Sequence, residues 1–185
     1  MKDFSLFERA QTLSSLGNPL AQDSIASISR RDFNERVAFT CHTTSSSIEY
    51  ACLMIENALL LRTNRGGRVY AGFEKLSAFQ PVIDRYLRIA DISETVYLFG
   101  RNDWQLPRHP NVRIISLSDD FRLARESFLI TLSSSLTTAF VSKRDETIPP
   151  SRDQQLHFAI KTSDLSTVLG LADGVECLID WSIAA

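Results

Sequence analysis

Residues 66–79 read GGRVYAGFEKLSAF, which is a glycine pair, a short apolar run, a third glycine and the beginning of a helical pattern. Residues 68–73 have the composition of a β-strand, and Ser77 stands where it would cap the helix that follows. A phosphate-binding loop lies after its strand, where the next helix presents free N–H groups, whereas this glycine pair lies before the strand. The motifs GxxxxGK[ST] and GxGxxG do not occur. The stretch therefore predicts a structural strand–loop–helix unit rather than a nucleotide-binding site.

The alternation of strands and helices extends on both sides of this stretch. The first two-thirds of the chain contain four predicted strands, at 36–41, 68–73, 95–99 and 112–117. Helices are predicted at 48–61, which is apolar on nearly all sides, and at 77–90. Residues 128–132 and 136–141 instead have the pattern of a β-hairpin. We therefore predict an α/β fold with a mainly parallel central sheet flanked by helices and a late antiparallel β-hairpin.

Composition limits the class of protein. The chain has 185 residues, of which 44% are hydrophobic, so we expect one domain over residues 1–185. A formal net charge of −2, with scattered Lys and Arg, argues against a nucleic-acid partner. Because no apolar run of about 18 residues occurs and the N-terminal residues are charged, we expect no membrane span and a cytoplasmic location.

Metal and disulfide chemistry are not indicated. The three cysteines, Cys41, Cys52 and Cys177, are an odd number without CxxC spacing, which favours reduced thiols over a disulfide framework or a zinc site. His109 and His157 have no second ligand at metal spacing. We therefore predict no metal and no defined cofactor.

The acidic residues of the helix at 48–61 give no catalytic pair. Glu49 and Glu56 lie seven residues apart and hence near one helix face. We interpret Glu49 as the capping-box partner of Ser46, and Glu56 as a solvated position. The serines at 133–135 lack a surrounding GxSxG and are interpreted as a turn. No catalytic residue is predicted.

Polar and aromatic residues stand where the predicted strands end, at Cys41, His42, Phe73, Glu74, Arg101 and Trp104. Open α/β sheets bind ligands at the carboxyl ends of their strands, so these residues predict a site for a small molecule or chromophore. Adjacent strand residues such as Cys41 and His42 point to opposite sides, and a nucleophile pair there requires a local bend. A small enzyme or redox sensor that uses this pair is the alternative.

The N-terminal residues predict an amphipathic helix at 4–16. Ser5 and Glu8 have capping-box spacing, and apolar residues including Phe4 and Phe7 recur at helical spacing. We interpret this helix as a docking appendage through which Phe4 and Phe7 contact a partner protein. The late hairpin offers a second docking element if it lies at a sheet edge.

Several segments together resemble the DICT sensory domain, a module named for its occurrence with diguanylate cyclases and two-component systems. The likeness extends over about residues 35–145 and includes RVYAGFEKLSAFQPVIDRY (68–86), VYLFG (96–100) and RESFLITL (125–132). Its best-matching piece is GF-x-x-L-S-x-F-x-x-V-x-x-x-Y, from Gly72 to Tyr86.

The resemblance implies a regulatory input module that is frequent in cyanobacteria and has been linked to light responses. It implies partners such as a histidine kinase, a response regulator or a cyclic-di-GMP enzyme, and no catalytic residues. We therefore expect a non-catalytic sensory domain that acts through protein–protein interaction, including a homodimer, or through small-ligand binding.

Overall fold

The computed structural model describes residues 2–14, 31, 33, 36–61, 66–146 and 156–184. The strands are β1 (Ala38–Thr44), β2 (Arg68–Lys75), β3 (Thr95–Arg101), β4 (Val112–Ser116), β5 (Glu126–Leu132), β6 (Thr137–Arg144) and β7 (Leu156–Thr162). The α-helices in these ranges are α1 (Leu6–Leu13), α2 (Ser45–Leu60), α3 (Ile83–Ile92) and α4 (Leu165–Ala184). Short 3₁₀ helices span Leu76–Val82 and Arg122–Arg125.

The seven described strands form one mixed sheet in the order β1-β7-β6-β5-β2-β3-β4. The pairs β2–β3 and β3–β4 are parallel, whereas the other four neighbouring pairs are antiparallel. The prediction of a mainly parallel sheet is therefore wrong, although the α/β class holds. The β1–α2–β2 segment has the sequence pattern of a parallel crossover, but β7, β6 and β5 lie between its two strands. The antiparallel β5–β6 hairpin is confirmed.

Helices cover both faces of the sheet. One face packs against α2, α3 and the Leu76–Val82 helix, with Val69, Leu98 and Phe140 in its core. The other face packs against α1 and α4. Because both faces are buried, the antiparallel strands read as continuous apolar runs, and their sequences do not differ from those of parallel strands. Among the described helices, none is sufficiently long and apolar to cross a membrane.

The glycines of the opening stretch have backbone roles. Gly66 and Gly67 both have positive φ, and Gly67 accepts a hydrogen bond from the N–H of Glu94 at 2.8 Å. The pair therefore forms a turn at the amino end of β2. At Gly72 a Cβ would lie 2.2 Å from Cε1 of Phe128, so the absence of a side chain lets that ring lie against β2.

Three local predictions about helices need correction. The cap of α2 is Thr44, which accepts from the N–H of Ser47, and not Ser46. Glu56 is not solvated: it is 3% exposed and accepts from Arg85 at 2.7 Å. Ser77 lies inside its 3₁₀ helix rather than at a cap.

By contrast, the cap at Ser5 is confirmed, since its Oγ accepts from the N–H of Glu8 at 3.1 Å. The helix that it begins ends at Leu13 in the structure, and residues 15–16 of the predicted span lie outside the described residues.

Candidate functional site

A cleft opens at one end of the strands. The strands β1, β2, β3, β4 and β6 run in one direction, so their carboxyl ends lie beside the amino ends of β5 and β7. A cavity of about 530 Å³ lies there. Its basic lining residues are Arg122, Arg125, Lys143 and Arg144, and its other lining residues are Glu74, Glu126, Asp145, Glu146 and Phe158. We refer to it as the strand-end cleft.

A row of paired residues runs from this cleft across four strands. Glu126 of β5 is paired with Lys143 of β6, which is paired with Phe158 of β7, which in turn is paired with His42 of β1. Paired residues lie on the same face of a sheet, here the face that carries α1. The His42 ring contacts the edge of Phe158 at a centroid distance of 4.3 Å. His42 therefore connects to the cleft through one aromatic side chain.

The buried carboxylate of Glu126 holds the first turn of α1. It accepts hydrogen bonds from Ser5 Oγ, from the N–H of Leu6 at 2.9 Å and from the N–H of Phe7 at 3.0 Å. Glu126 is 4% exposed, and burial raises the pKa of its carboxyl above the ordinary value, although these hydrogen bonds and nearby Lys143 lower it in part. The free N–H groups at the start of α1 thus have their acceptor in a side chain of β5.

Two further cleft residues hold α1. The Nζ of Lys143 lies 4.8 Å from the centroid of the Phe7 ring, which is cation–π geometry. Arg122 donates to the carboxylate of Glu8, and this hydrogen bond lowers the pKa of Glu8. The wall of the cleft is therefore also the anchor of α1.

Glu74 and Arg101, which the sequence placed at neighbouring strand ends, lie together. Arg101 donates to both the carboxylate and the carbonyl of Glu74, and to Asp119 at 2.8 Å. These hydrogen bonds follow from the parallel pairing of β2 with β3, whose register shifts between Gly72 and Lys75. Glu74 also lines the cleft, so this pair stands at its rim.

The other predicted strand-end residues lie elsewhere. Phe73 and Trp104 pack against the core on the α2 and α3 face, with the Phe73 ring 4.7 Å from that of Phe79. Cys41 is 2% exposed in the same core, whereas His42 points to the opposite face. The strand β1 lies four positions from β2, about 19 Å at about 4.8 Å per strand. The six residues therefore do not converge on one pocket, and their binding role stays a prediction.

Phe7 of α1 faces inward, and Phe4, which precedes the helix, is half-buried. Phe7 is 1% exposed, and its ring lies 6.5 Å from that of Phe158. Phe4 packs against Gly174 of α4, where a Cβ would lie 2.8 Å from Phe4 Cζ. A partner that binds Phe7 must therefore displace α1. The hairpin cannot dock through a free edge, because β5 and β6 both lie inside the sheet.

Glu126 and Lys143 were not predicted as site residues, although the sequence contains a signal for their pairing. The predicted hairpin strands, 128–132 and 136–141, pair Phe128 with Val141 when their ends are aligned. Extending both strands by two residues places Glu126 opposite Lys143 on the same face, as observed. This signal extends to the pairing of the two residues and not to the burial of Glu126, because a carboxylate at a strand end is more often exposed.

No group of three or more His, Cys, Asp or Glu side chains is arranged to hold a metal ion among the residues with described positions. The charged groups of the cleft therefore offer hydrogen bonds and ion pairs. The thiols of Cys41 and Cys52 are buried, and burial raises the pKa of Cys52. A raised pKa reduces the thiolate fraction and hence reactivity.

Comparison with known families agrees with this architecture. The family model of the DICT domain, described as a sensory domain in diguanylate cyclases and two-component systems, matches residues 40–145. This segment runs from β1 to the end of β6 and includes Glu126 and Lys143, whereas α1, β7 and α4 lie outside it. No curated protein and no solved structure matches the chain. Since the match covers more than half of the sequence, the chain belongs to the DICT family of sensory domains.

Proposed function

We propose that the chain is a non-catalytic sensory input domain that binds a small molecule in the strand-end cleft and passes the signal to a partner protein. The observation that carries this proposal is the cleft itself, an open volume of about 530 Å³ whose walls bear charged groups from several strands. Its volume lies in the range of small-molecule sites, and because eight of its nine lining residues are charged, it suits a polar or charged ligand. Its position at the carboxyl ends of the parallel strands is the usual one in open α/β sheets.

Membership of a sensory family supports a signalling partner of the kinds with which DICT domains occur, namely a two-component protein or a diguanylate cyclase. A histidine kinase, a response regulator or a cyclic-di-GMP enzyme is the partner we propose, in the cytoplasm, with light as one candidate signal. The placement of Cys41 and His42 on opposite faces of β1 supports the absence of catalysis, since the thiol and the imidazole cannot act together.

Native mass spectrometry combined with an absorption spectrum tests this proposal. The protein is purified from a photosynthetic host and from a standard host, and thermal melting is recorded with a panel of metabolites. We expect either extra mass or a ligand-induced shift of the melting temperature. This shift should be smaller for Arg125→Gln, which changes the cleft, than for the control Arg88→Gln on α3. A bare mass without any melting shift rejects ligand sensing, and measured turnover of a nucleotide or ester rejects the non-catalytic function.

A second candidate function is docking through the outer edge of β4. The carbonyl of Asn111 accepts from Val96 of β3, and the N–H of Leu117 donates to Gly100, so odd-numbered residues of β4 face β3. The backbone groups of Ile114 and Ser116 consequently face outward, and the Ile114 side chain is 46% exposed. An extended segment of the signalling partner can add to such an edge. If Ile114→Lys leaves association with a captured partner unchanged, this candidate is rejected.

A further inference from the structure

Each of three residues in the wall of the strand-end cleft makes a contact that holds α1. Glu126 accepts hydrogen bonds from its first turn, Lys143 lies over Phe7, and Arg122 binds Glu8. The segment before the helix is tied to the same wall, since the N–H of Arg122 donates to the carbonyl of Lys2 at 3.0 Å. A molecule that enters the cleft therefore meets the groups on which the position of α1 depends.

Arg125, Lys143 and the exposed Glu146 line this cleft without an ion pair in the described part of the chain, so two positive charges stand against one negative charge. Glu126 is occupied by three donors, and Glu74 is occupied by Arg101. Arg125 is exposed and, among the residues with described side chains, neither Arg125 nor Lys143 makes an ion pair. Two cations that make no ion pair, against one such carboxylate, favour a negatively charged occupant.

We propose that the strand-end cleft binds a small oxyanion between Arg125 and Lys143, and that the bound anion loosens the attachment of α1. The proposal rests on the proposed function, because it assumes that the cleft is the ligand site. It adds the chemical class of the ligand, a phosphate or carboxylate group, and the structural element that responds.

The direction of the effect follows from the three contacts. An anion that attracts Lys143 competes with the Phe7 ring for this cation. It also draws Lys143 away from Glu126, its paired residue on the neighbouring strand. The negative charge of the ligand also repels the Glu126 carboxylate. An anion near Arg122 competes with Glu8 in the same way. All three changes weaken α1, and by linkage the loss of α1 contacts strengthens anion binding.

Loosening of α1 exposes a specific surface on α4. In the described state Phe4 packs against Gly174, Leu13 packs against Gly170, and Arg9 donates to the Gly170 carbonyl at 2.7 Å. The two glycines provide the groove in which these side chains lie. Release of α1 uncovers this groove and makes the buried Phe7 accessible, so the helix and its groove are the output of the domain.

Hydrogen exchange of the α1 amides measures this coupling. Exchange at Leu6 to Ala10 is followed by mass spectrometry during titration with sodium phosphate and, separately, with sodium succinate, each against sodium chloride at matched ionic strength. The two arms distinguish a phosphate ligand from a carboxylate ligand. Binding is measured in parallel by the shift of the melting temperature.

We expect at least one anion to accelerate exchange of these amides saturably, by about 5-fold to 30-fold, the factor that corresponds to losing one helix cap. The variant Arg125→Gln should leave anion-free exchange unchanged, because no hydrogen bond, ion pair or ring contact joins Arg125 to α1 in the described part of the chain, and should require more anion for half of the effect. Arg88→Gln, which alters an exposed arginine on the opposite face of the sheet, is the matched control and should behave like the unaltered protein.

A failure of anion binding and a failure of the exchange response reject different parts of the proposal. If neither anion binds beyond the chloride control, the oxyanion class is wrong, while ligand sensing stands if another metabolite shifts the melting temperature. If an anion binds and exchange of the α1 amides is unchanged or slower, the coupling is wrong, while the cleft remains a ligand site.

Discussion

The substitution Glu126→Ala examines the attachment of α1 most sharply. It removes the acceptor of the Leu6 and Phe7 N–H groups and of the Ser5 hydroxyl, all in a region where Glu126 is 4% exposed. A buried donor without an acceptor costs about 1–3 kcal/mol. Because water enters beside a helix terminus and the desolvated charge is removed, we expect a net loss of about 3 kcal/mol in the free energy of unfolding rather than the full sum.

Glu126→Gln should behave differently from Glu126→Ala. The amide oxygen of glutamine can still accept from the two backbone N–H groups, and its NH₂ can donate to Ser5, so we expect a change within about 1 kcal/mol. Burial raises the pKa of Glu126, which means that folding favours its protonated form. The contribution of Glu126 to stability is therefore largest below the ordinary pKa of 4.5 and is lost as the pH rises through its folded pKa. The glutamine variant lacks this dependence.

Urea unfolding monitored by circular dichroism measures both variants across pH. Glu146→Ala is the matched control, because Glu146 lines the same cleft but is exposed, and we expect a change within about 0.5 kcal/mol. A loss for Glu126→Ala no larger than that of the control would show that this carboxylate does not hold α1.

Three further predictions concern the rest of the molecule. Gly72→Ala forces a Cβ against the Phe128 ring at 2.2 Å and should cost about 1–3 kcal/mol in urea unfolding; an unchanged midpoint contradicts it. Burial lowers the pKa of Lys161 to about 8, so the folded state releases this proton at a lower pH than the unfolded state does. The free energy of unfolding should therefore rise between pH 8 and 10.5 by more than in Lys161→Met. Parallel pH profiles for the two proteins would exclude this. A thiol reagent should label Cys177 rapidly in the native protein and the two buried cysteines after denaturation; rapid native labelling of all three would contradict it.

The strands and the hairpin could be predicted from the sequence because their signals are local. Residues 68–73 fall within β2, and 128–132 fall within β5. The order of the strands could not be predicted, since it depends on which edges meet after folding. The run of apolar residues in β5 fits a parallel or an antiparallel neighbour equally well when both faces are covered.

Only part of the candidate site could be predicted from the sequence, because its other residues depend on contacts that have no local signal. Glu74 and Arg101 were found because each follows a recognisable strand, and the parallel pairing of those strands brings them together. Glu126 and Lys143 lie at the outer ends of a hairpin whose predicted strands stopped two residues short. Glu56 was misread because its partner Arg85 belongs to another helix, and such a contact has no local signal.

The coupling between the strand-end cleft and α1 is tested most directly by an NMR titration that follows amide signals of both in one experiment. The oxyanion found by the melting screen is added to the unaltered chain, and the signals of Arg125 and Lys143 are compared with those of Leu6 and Phe7. We expect all four signals to shift with the same saturation curve. Shifts confined to the cleft, with the α1 signals unmoved at saturation, would contradict it.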